Sequence, residues 1–219
     1  MVATRERSFY ETEYHFGQDV EQPGATRLRR ALDLLGPLRG TAFLDLGSGV
    51  GWAANLASGD GANVAVGADF ARRALLLGAE HVPGVARVQA DGCRMPIRDD
   101  AFDGILSFGS LEHFPDVDAG LREVARMLKP GGRAVVVVPN FYVRTEQPME
   151  LALSYNGWQR RFEAAGLRIS ATRADPGPAV LRDRRPVRMA IRAAAKVLAL
   201  VPRLPYQFIF LLEPAPLRG

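Results

Sequence analysis

A short apolar run, Ala42 to Leu46, delivers the chain directly into three glycines spaced two apart, in Leu44-Asp45-Leu46-Gly47-Ser48-Gly49-Val50-Gly51-Trp52. A stretch dominated by small residues, Ala53 to Ala57, follows at once. The order reads as strand, tight turn and helix start, a place where glycine lets backbone come close to a ligand. The spacing is G-x-G-x-G with an aspartate two residues before the first glycine. It differs from the G-x-G-x-x-G that cradles a pyrophosphate.

The rest of the chain repeats the alternation. Strands are predicted over 41–46, 63–68, 85–90, 102–108, 133–138 and 167–174. Helices are predicted over 26–35, 51–58, 71–80, 117–128 and 154–165. Arg133 to Val138 is a run of almost continuous valine, as expected for a strand buried on both faces. Such alternation specifies a doubly wound α/β architecture, a mostly parallel sheet with helices on both faces. At 219 residues the chain is expected to form one domain with a sizeable core.

Composition narrows the function classes. The single Cys93 excludes an internal disulfide and a multi-cysteine metal site, and it reads as a buried structural thiol. No metal-ligand cluster is evident. Met1 to Gln18 is polar and charged, unlike a secretory signal, and no apolar run reaches the roughly 20 residues that span a bilayer. A cytoplasmic location is therefore expected. The net charge of +4 is uneven: residues 176–219 hold eight basic and two acidic residues. That points to a local anionic partner rather than a nucleic-acid-coating surface.

The glycine turn resembles motif I of the class I S-adenosylmethionine-dependent methyltransferases, and four further features agree. Val66-Gly67-Ala68-Asp69 ends the second predicted strand with a carboxylate, Asp69, suited to accept both ribose hydroxyl hydrogens; the competing role is to cap the helix from Ala71. Gln89-Ala90-Asp91-Gly92-Cys93-Arg94-Met95-Pro96 places Asp91 after the third strand. The resemblance gives Asp91 the adenine amine, the next N–H a ring nitrogen, and Met95-Pro96-Ile97 the covering of the ring. Asp91 could instead serve only as a turn residue. Phe108-Gly109-Ser110-Leu111-Glu112-His113-Phe114 resembles the "LEH" segment of small-molecule methyltransferases, which borders the methyl-transfer centre. Leu128-Lys129-Pro130-Gly131-Gly132 resembles the structural turn before the fifth strand.

The resemblance implies a seven-stranded sheet. Its antiparallel last strand, expected over 206–212, lies between the fifth and sixth parallel ones. It implies S-adenosyl-L-methionine as cofactor and S-adenosyl-L-homocysteine as product. It assigns the cofactor to Asp45, Gly47, Ser48, Gly49, Gly51, Asp69, Phe70, Asp91, Gly92, Cys93 and Phe108. Asp45 either meets the methionine portion directly or orders the loop. His113 and Tyr14 are the candidate catalytic pair, and Tyr10, His15, Glu112, Phe141 and Tyr142 are assigned to the acceptor. Trp158 is a further candidate for the acceptor pocket. His81 reads as a surface residue at a helix end, where the dipole favours it.

The chain divides into an N-terminal lid and helix (1–36), a cofactor-binding core (41–174), a basic helical insertion (175–205) and the last strand. Because the sixth strand ends and the last begins at the ligand side of the sheet, the insertion must start and finish at the active-site rim. Arg185, Arg188, Arg192 and Lys196 recur there at three- and four-residue spacing, making one helical stripe. A lid helix, a membrane-surface contact and a site for an anionic acceptor group all fit that stripe.

The expected activity is methyl transfer to a small molecule, a specialised metabolite, with oxygen slightly favoured over nitrogen. A lipid or quinone acceptor at a membrane surface is the alternative. A nucleic-acid acceptor is disfavoured, because Phe108-Gly109-Ser110-Leu111 stands where an "NPPY"-type tetrad is expected. A nucleotide-dependent oxidoreductase conflicts with the glycine spacing, and a non-catalytic cofactor-binding module remains open.

Overall fold

In the computed structural model, residues 9, 25–143, 150–175 and 205–216 are described. The valine run lies in β5 (Leu128–Pro139), and its alternation divides cleanly between two cores. Ala134, Val136 and Val138 face one layer and Val135 and Val137 the other. The other strands among the described residues are β1 (Ala42–Leu46), β2 (Val64–Asp69), β3 (Ala86–Gln89), β4 (Phe102–Phe108), β6 (Leu167–Asp175) and β7 (Gln207–Pro214). They form one sheet in the order β3-β2-β1-β4-β5-β7-β6. All pairings are parallel except those of β7, which is antiparallel to both β5 and β6. The expected architecture and the inserted last strand are thus both present.

Helices cover both faces. On one face α4 (Val117–Met127) and α5 (Tyr155–Ala164) bury Leu121, Val124, Trp158 and Phe162 against Leu44, Val136, Phe208 and Phe210. On the other, α1 (Ala25–Leu32) and α2 (Trp52–Gly59) bury Leu28, Ala31, Leu32, Ala53 and Ala57 against Phe43, Leu106 and Ile209. A further helix, α3 (Arg72–His81), buries Ala74 and Leu75. Capping agrees with local chemistry: Asp116 accepts from Ala119 N–H to start α4, and Ser154 accepts from Gly157 N–H to start α5. His81 ends α3 as expected, its exposed ring nitrogen Nδ1 2.9 Å from Leu77 O.

Several local expectations are corrected. The predicted helix 26–35 closes as a 3₁₀ turn over Asp33–Leu35. The turn before the fifth strand is not a clean helix-to-strand reversal. Pairing already begins at Leu128↔Phe102 and resumes at Arg133↔Gly104, so 129–132 loop out opposite one residue, Asp103. Asp103 holds the strand starts together, accepting from Ala42 N–H at 2.8 Å and Lys129 Nζ at 2.7 Å. Trp158 does not line an acceptor pocket: it is fully buried and donates Nε1–H to Pro139 O at 3.0 Å. Met95 is buried in the core rather than turned outward to cover a ring. Cys93 is half-buried, not buried, and donates its thiol to Asp116 O; burial pushes that thiol up to about 11.

Among the described residues no helix is long and apolar enough to cross a membrane. Tyr10, Tyr14, His15, Arg185, Arg188, Arg192 and Lys196 lie outside the described residues. The ends of the insertion do not. Asp175, the last residue of β6, pairs with Gln207, the first of β7, which also pairs with Pro139 at the end of β5. The segment between them therefore leaves and re-enters at the carboxyl end of the parallel strands, as the strand directions required.

An ion pair unforeseen in the sequence holds α1 across this end. Arg27 Nε donates to both oxygens of the buried Asp175 at 3.0 Å, and its Nη2 donates to Gln207 Oε1 at 2.6 Å. Its guanidinium also sits 5.3 Å from the centroid of the Phe108 ring. Asp175→Ala strands the Arg27 charge, and because Arg27 retains some solvent contact the expected loss is about 2–4 kcal/mol, below the fully buried case. Urea unfolding followed by circular dichroism measures it; a loss below about 0.5 kcal/mol, typical of surface sites, contradicts the role of the pair.

Candidate functional site

The site is built where β1 ends. Gly47, Gly49 and Gly51 all have positive φ, at 74°, 53° and 95°, so the turn from β1 into α2 needs a backbone that other residues rarely adopt. Its N–H groups are largely spent on the fold. Gly47 and Ser48 both donate to Ala68 O, at 2.8 and 2.9 Å, and Gly51 donates to Ser48 O at 2.8 Å. The turn therefore offers shape to a ligand more than donors. A Cβ on Gly47 would overlap the side chain of Ser110, whose hydroxyl donates to Gly47 O at 2.9 Å. A Cβ on Gly78 of α3 would overlap Val50 O, so that helix also lies directly on the turn.

Asp69 joins β2 to the turn. One carboxylate oxygen accepts from Gly49 N–H and the other from Ala71 N–H, each at 2.8 Å. The capping bond to Ala71 and a ligand role are compatible, since a carboxylate has about four acceptor positions. Phe70 follows, its carbonyl accepting from the Gln89 side chain at 3.1 Å. Asp91 is exposed past β3, and one of its oxygens accepts from Cys93 N–H at 2.9 Å. This is the turn role anticipated for it, on a residue that stays exposed. Phe114 packs so tightly on Gly92 and Gly120 that a Cβ at either would overlap its ring. The loop 95–99 is pinned by Arg126, which donates to Ile97 O, Asp99 and Glu123, while Glu123 accepts from Met95 N–H at 2.7 Å.

Asp45 orders the turn. It is 4 % exposed on β1, and its carboxylate accepts from Ala54 N–H at 3.3 Å, in the first turn of α2. Burial is the main force on it. Together with the charge of Asp69 it outweighs the N–H bonds and pushes the group up to about 7.

Beyond β4 the chain makes a 3₁₀ turn, Leu111–His113, that sequence periodicity is too short to reveal. His113 is its half-buried last residue, and His113 N–H donates to Ser110 O. Glu112 is the unexpected member. It is 2 % exposed, and its Oε2 has no hydrogen-bond partner among the described residues. Burial, with the charge of Glu150, pushes it up to about 8. The segment from Glu150 is held beside it, since Leu151 N–H donates to Glu112 O at 2.9 Å. Phe141 is 53 % exposed at the rim, edge-on to Tyr142. The Tyr142 hydroxyl donates to Pro205 O at 2.7 Å.

The structure thus brings Gly47, Ser48, Gly49, Gly51, Asp69, Phe70, Asp91, Gly92 and Cys93 to the carboxyl ends of β1, β2 and β3. Phe108 closes β4, and Glu112, His113, Phe141 and Tyr142 lie beyond β4 and β5. In open α/β sheets ligands bind in that crevice. The residue set fits a nucleoside with an amino acid attached: acidic acceptors at two strand ends, a turn of three positive-φ glycines, and the buried Ser48 hydroxyl, which has no partner in the described protein. Among the described residues no group of three or more His, Cys, Asp or Glu could hold a metal.

A seven-stranded sheet of this order around such a cradle is the architecture of the class I S-adenosylmethionine-dependent methyltransferases. Residues 44–136 match the family described as "Methyltransferase domain". It is 39 % identical over 126 residues to a demethylmenaquinone methyltransferase of Beutenbergia cavernae, covering 56 % of this chain and 52 % of that one. It is 32 % identical over 145 residues to the methyltransferase GfsG of Streptomyces halstedii, covering 59 % and 52 %. The chain spans about half the length of the relatives it matches. Its fold is similar to that of the Haemonchus contortus phosphoethanolamine N-methyltransferase 2 in complex with S-adenosyl-L-methionine. The TM-score is 0.70 at 18 % identity, over 96 % of this chain and 60 % of that one.

Two buried carboxyls give the fold a pH signature. The native pKa of Asp45 is raised from 3.8 to about 7 and that of Glu112 from 4.5 to about 8. Between the ordinary and raised values the native state holds protons that the unfolded chain has lost, so stability falls as pH rises through that window. At about 1.4 kcal/mol per pKa unit, Asp45 alone contributes a decline of roughly 4 kcal/mol. Asp45→Asn is expected to flatten the melting-temperature profile between pH 4 and 7. An unchanged slope excludes a buried, neutral Asp45.

Proposed function

We propose that this chain transfers a methyl group from S-adenosyl-L-methionine to a small-molecule acceptor, a specialised metabolite, at oxygen in preference to nitrogen. The observation that carries the reading is the cradle at β1 and β2, in which Gly49 N–H bonds Asp69 at 2.8 Å within a turn of three positive-φ glycines. Asp69 would accept from the ribose hydroxyls and Asp91 from the adenine amine. Gly47 to Gly51 would bring backbone against the amino-acid portion, with Asp45 holding the α2 end of that turn in place.

When bound, the sulfonium supplies an already electrophilic methyl group. The protein's task is then to orient the acceptor in line and exclude water. Phe108, Phe141 and Tyr142 offer aromatic surface at the rim, and His113 and Tyr14 remain the proposed catalytic pair. A cytoplasmic location is part of this reading.

A quinone acceptor is the second reading. It is favoured by the name of the Beutenbergia cavernae relative and by the exposed Phe141 at the rim. The chain spans about half the length of that relative, so the acceptor is decided by experiment.

Calorimetric titration with S-adenosyl-L-methionine and S-adenosyl-L-homocysteine tests the cofactor. Micromolar binding is expected, weakened at least about 10-fold, or 1.4 kcal/mol, by Asp69→Ala and by Asp91→Ala. Absence of binding to folded wild type overturns the reading. Labelled methyl transfer to reduced demethylmenaquinone and to a panel of hydroxylated metabolites, with the product's C- or O-methyl resolved by NMR, separates the two acceptors.

A further inference from the structure

The cofactor cradle occupies the ends of β1, β2 and β3, so an acceptor must approach over β4, β5 and β7. Glu112 stands on that side. Its turn is joined to the cradle through Ser110 Oγ and Gly47 O, and its Oε1 lies 3.9 Å from where a Cβ on Gly109 would stand. Oε2 is enclosed and has no partner among the described residues. Buried polar atoms are nearly always paired, so an orphan carboxyl oxygen beside a ligand crevice marks a bond the protein does not make for itself.

The charged groups around it do not provide one. Arg27 is committed to Asp175 and Gln207, and Arg122 and Arg161 are turned to Asp116 and Asp118 at the start of α4. Glu150 adds a second negative charge, and Tyr206, beside β5 and β7, feels Glu150, Arg27 and Asp175. His113 shares the turn, and Tyr142 is bonded to Pro205 O. The carboxyl receives a backbone hydrogen bond from its own residue, and Oε2 is left without a donor among the described residues.

We propose that Glu112 accepts the hydrogen of the acceptor group that is methylated, so that the site selects small molecules with an ionisable ring hydroxyl. This rests on the methyl-transfer reading above. As the O–CH₃ bond forms and the S–CH₃ bond breaks, the S–CH₃ electron pair stays on sulfur and the O–H proton passes to Glu112 Oε2. With the carboxyl ionised, above about pH 8, an acceptor whose oxygen already carries a methyl group offers Oε2 no hydrogen and is rejected. The raised affinity of this carboxyl for protons makes it a strong base once ionised.

The test uses naphthohydroquinone and its dimethyl ether, titrated anaerobically by calorimetry above about pH 8, where Glu112 is ionised, into the full chain with and without S-adenosyl-L-homocysteine. Wild type is expected to bind the hydroquinone at least about 10-fold more tightly than the ether, the scale of one hydrogen bond to a charged group. Glu112→Leu is expected to bring the two within about 2-fold, and Glu112→Gln, which keeps an acceptor oxygen, to fall between. Equal or absent affinity for both probes in wild type, or a preference that survives in Glu112→Leu, overturns the proposal. Urea midpoints confirm that the variants fold, and Glu112→Gln preserves the test if the leucine variant does not. Loss of S-adenosyl-L-homocysteine binding in wild type sinks the methyl-transfer reading instead, while the hydroxyl preference remains readable without it.

Discussion

The carbonyl of Ala68 holds the site together. Two successive N–H groups, from Gly47 and Ser48, converge on it from the neighbouring strand's turn. The next, from Gly49, reaches the Asp69 carboxylate one residue further along β2. The path of the glycine turn is thus dictated by the end of β2, and β2 is in turn fixed by its register with β1, where Leu46 pairs with Ala68. From that anchor α2 starts in the one direction Gly51 permits, with its first turn held by Asp45. Every other ligand-facing element is positioned relative to it: Ser110 ties the β4 loop to Gly47, and α3 rests on Val50.

The fold was legible because its signals are local. Alternating apolar runs, the glycine spacing and the valine run of β5 each carry their structure within a few residues, whereas the antiparallel place of β7 was expected from the family resemblance. What escaped was relational. Arg27 and Asp175 are separated by 148 positions, and nothing in either neighbourhood says that a helix arginine will meet the last residue of β6. Trp158 looked like a pocket residue because aromatics are common in pockets, yet its N–H found the carbonyl of Pro139 and its ring the core. Met95 followed the same logic.

The site divides in legibility along the same line. Asp69 and Asp91 stand at strand ends, where position alone suggests a role, and the structure adds that each also serves the backbone. Glu112 was visible as a residue but not as a buried one. A three-residue 3₁₀ turn has no periodicity to read, and enclosure depends on the segment from Glu150 closing beside it. Asp45 and Glu112 together show how the protein spends stability. Each places a carboxyl where burial opposes its charge, one to shape a turn and one with an oxygen left over.

The insertion of β7 has a consequence for how such a chain diversifies. Because Asp175 and Gln207 are paired neighbours, everything between them is, in topological terms, a hairpin loop mounted on the ligand side of the sheet. The entropy of closing a loop grows only with the logarithm of its length. The segment can therefore be lengthened, shortened or exchanged without disturbing the register of any strand or the anchor at Ala68. Variation in that segment is thereby uncoupled from the strand ends that build the cradle, and the two parts of the chain are free to change at different rates.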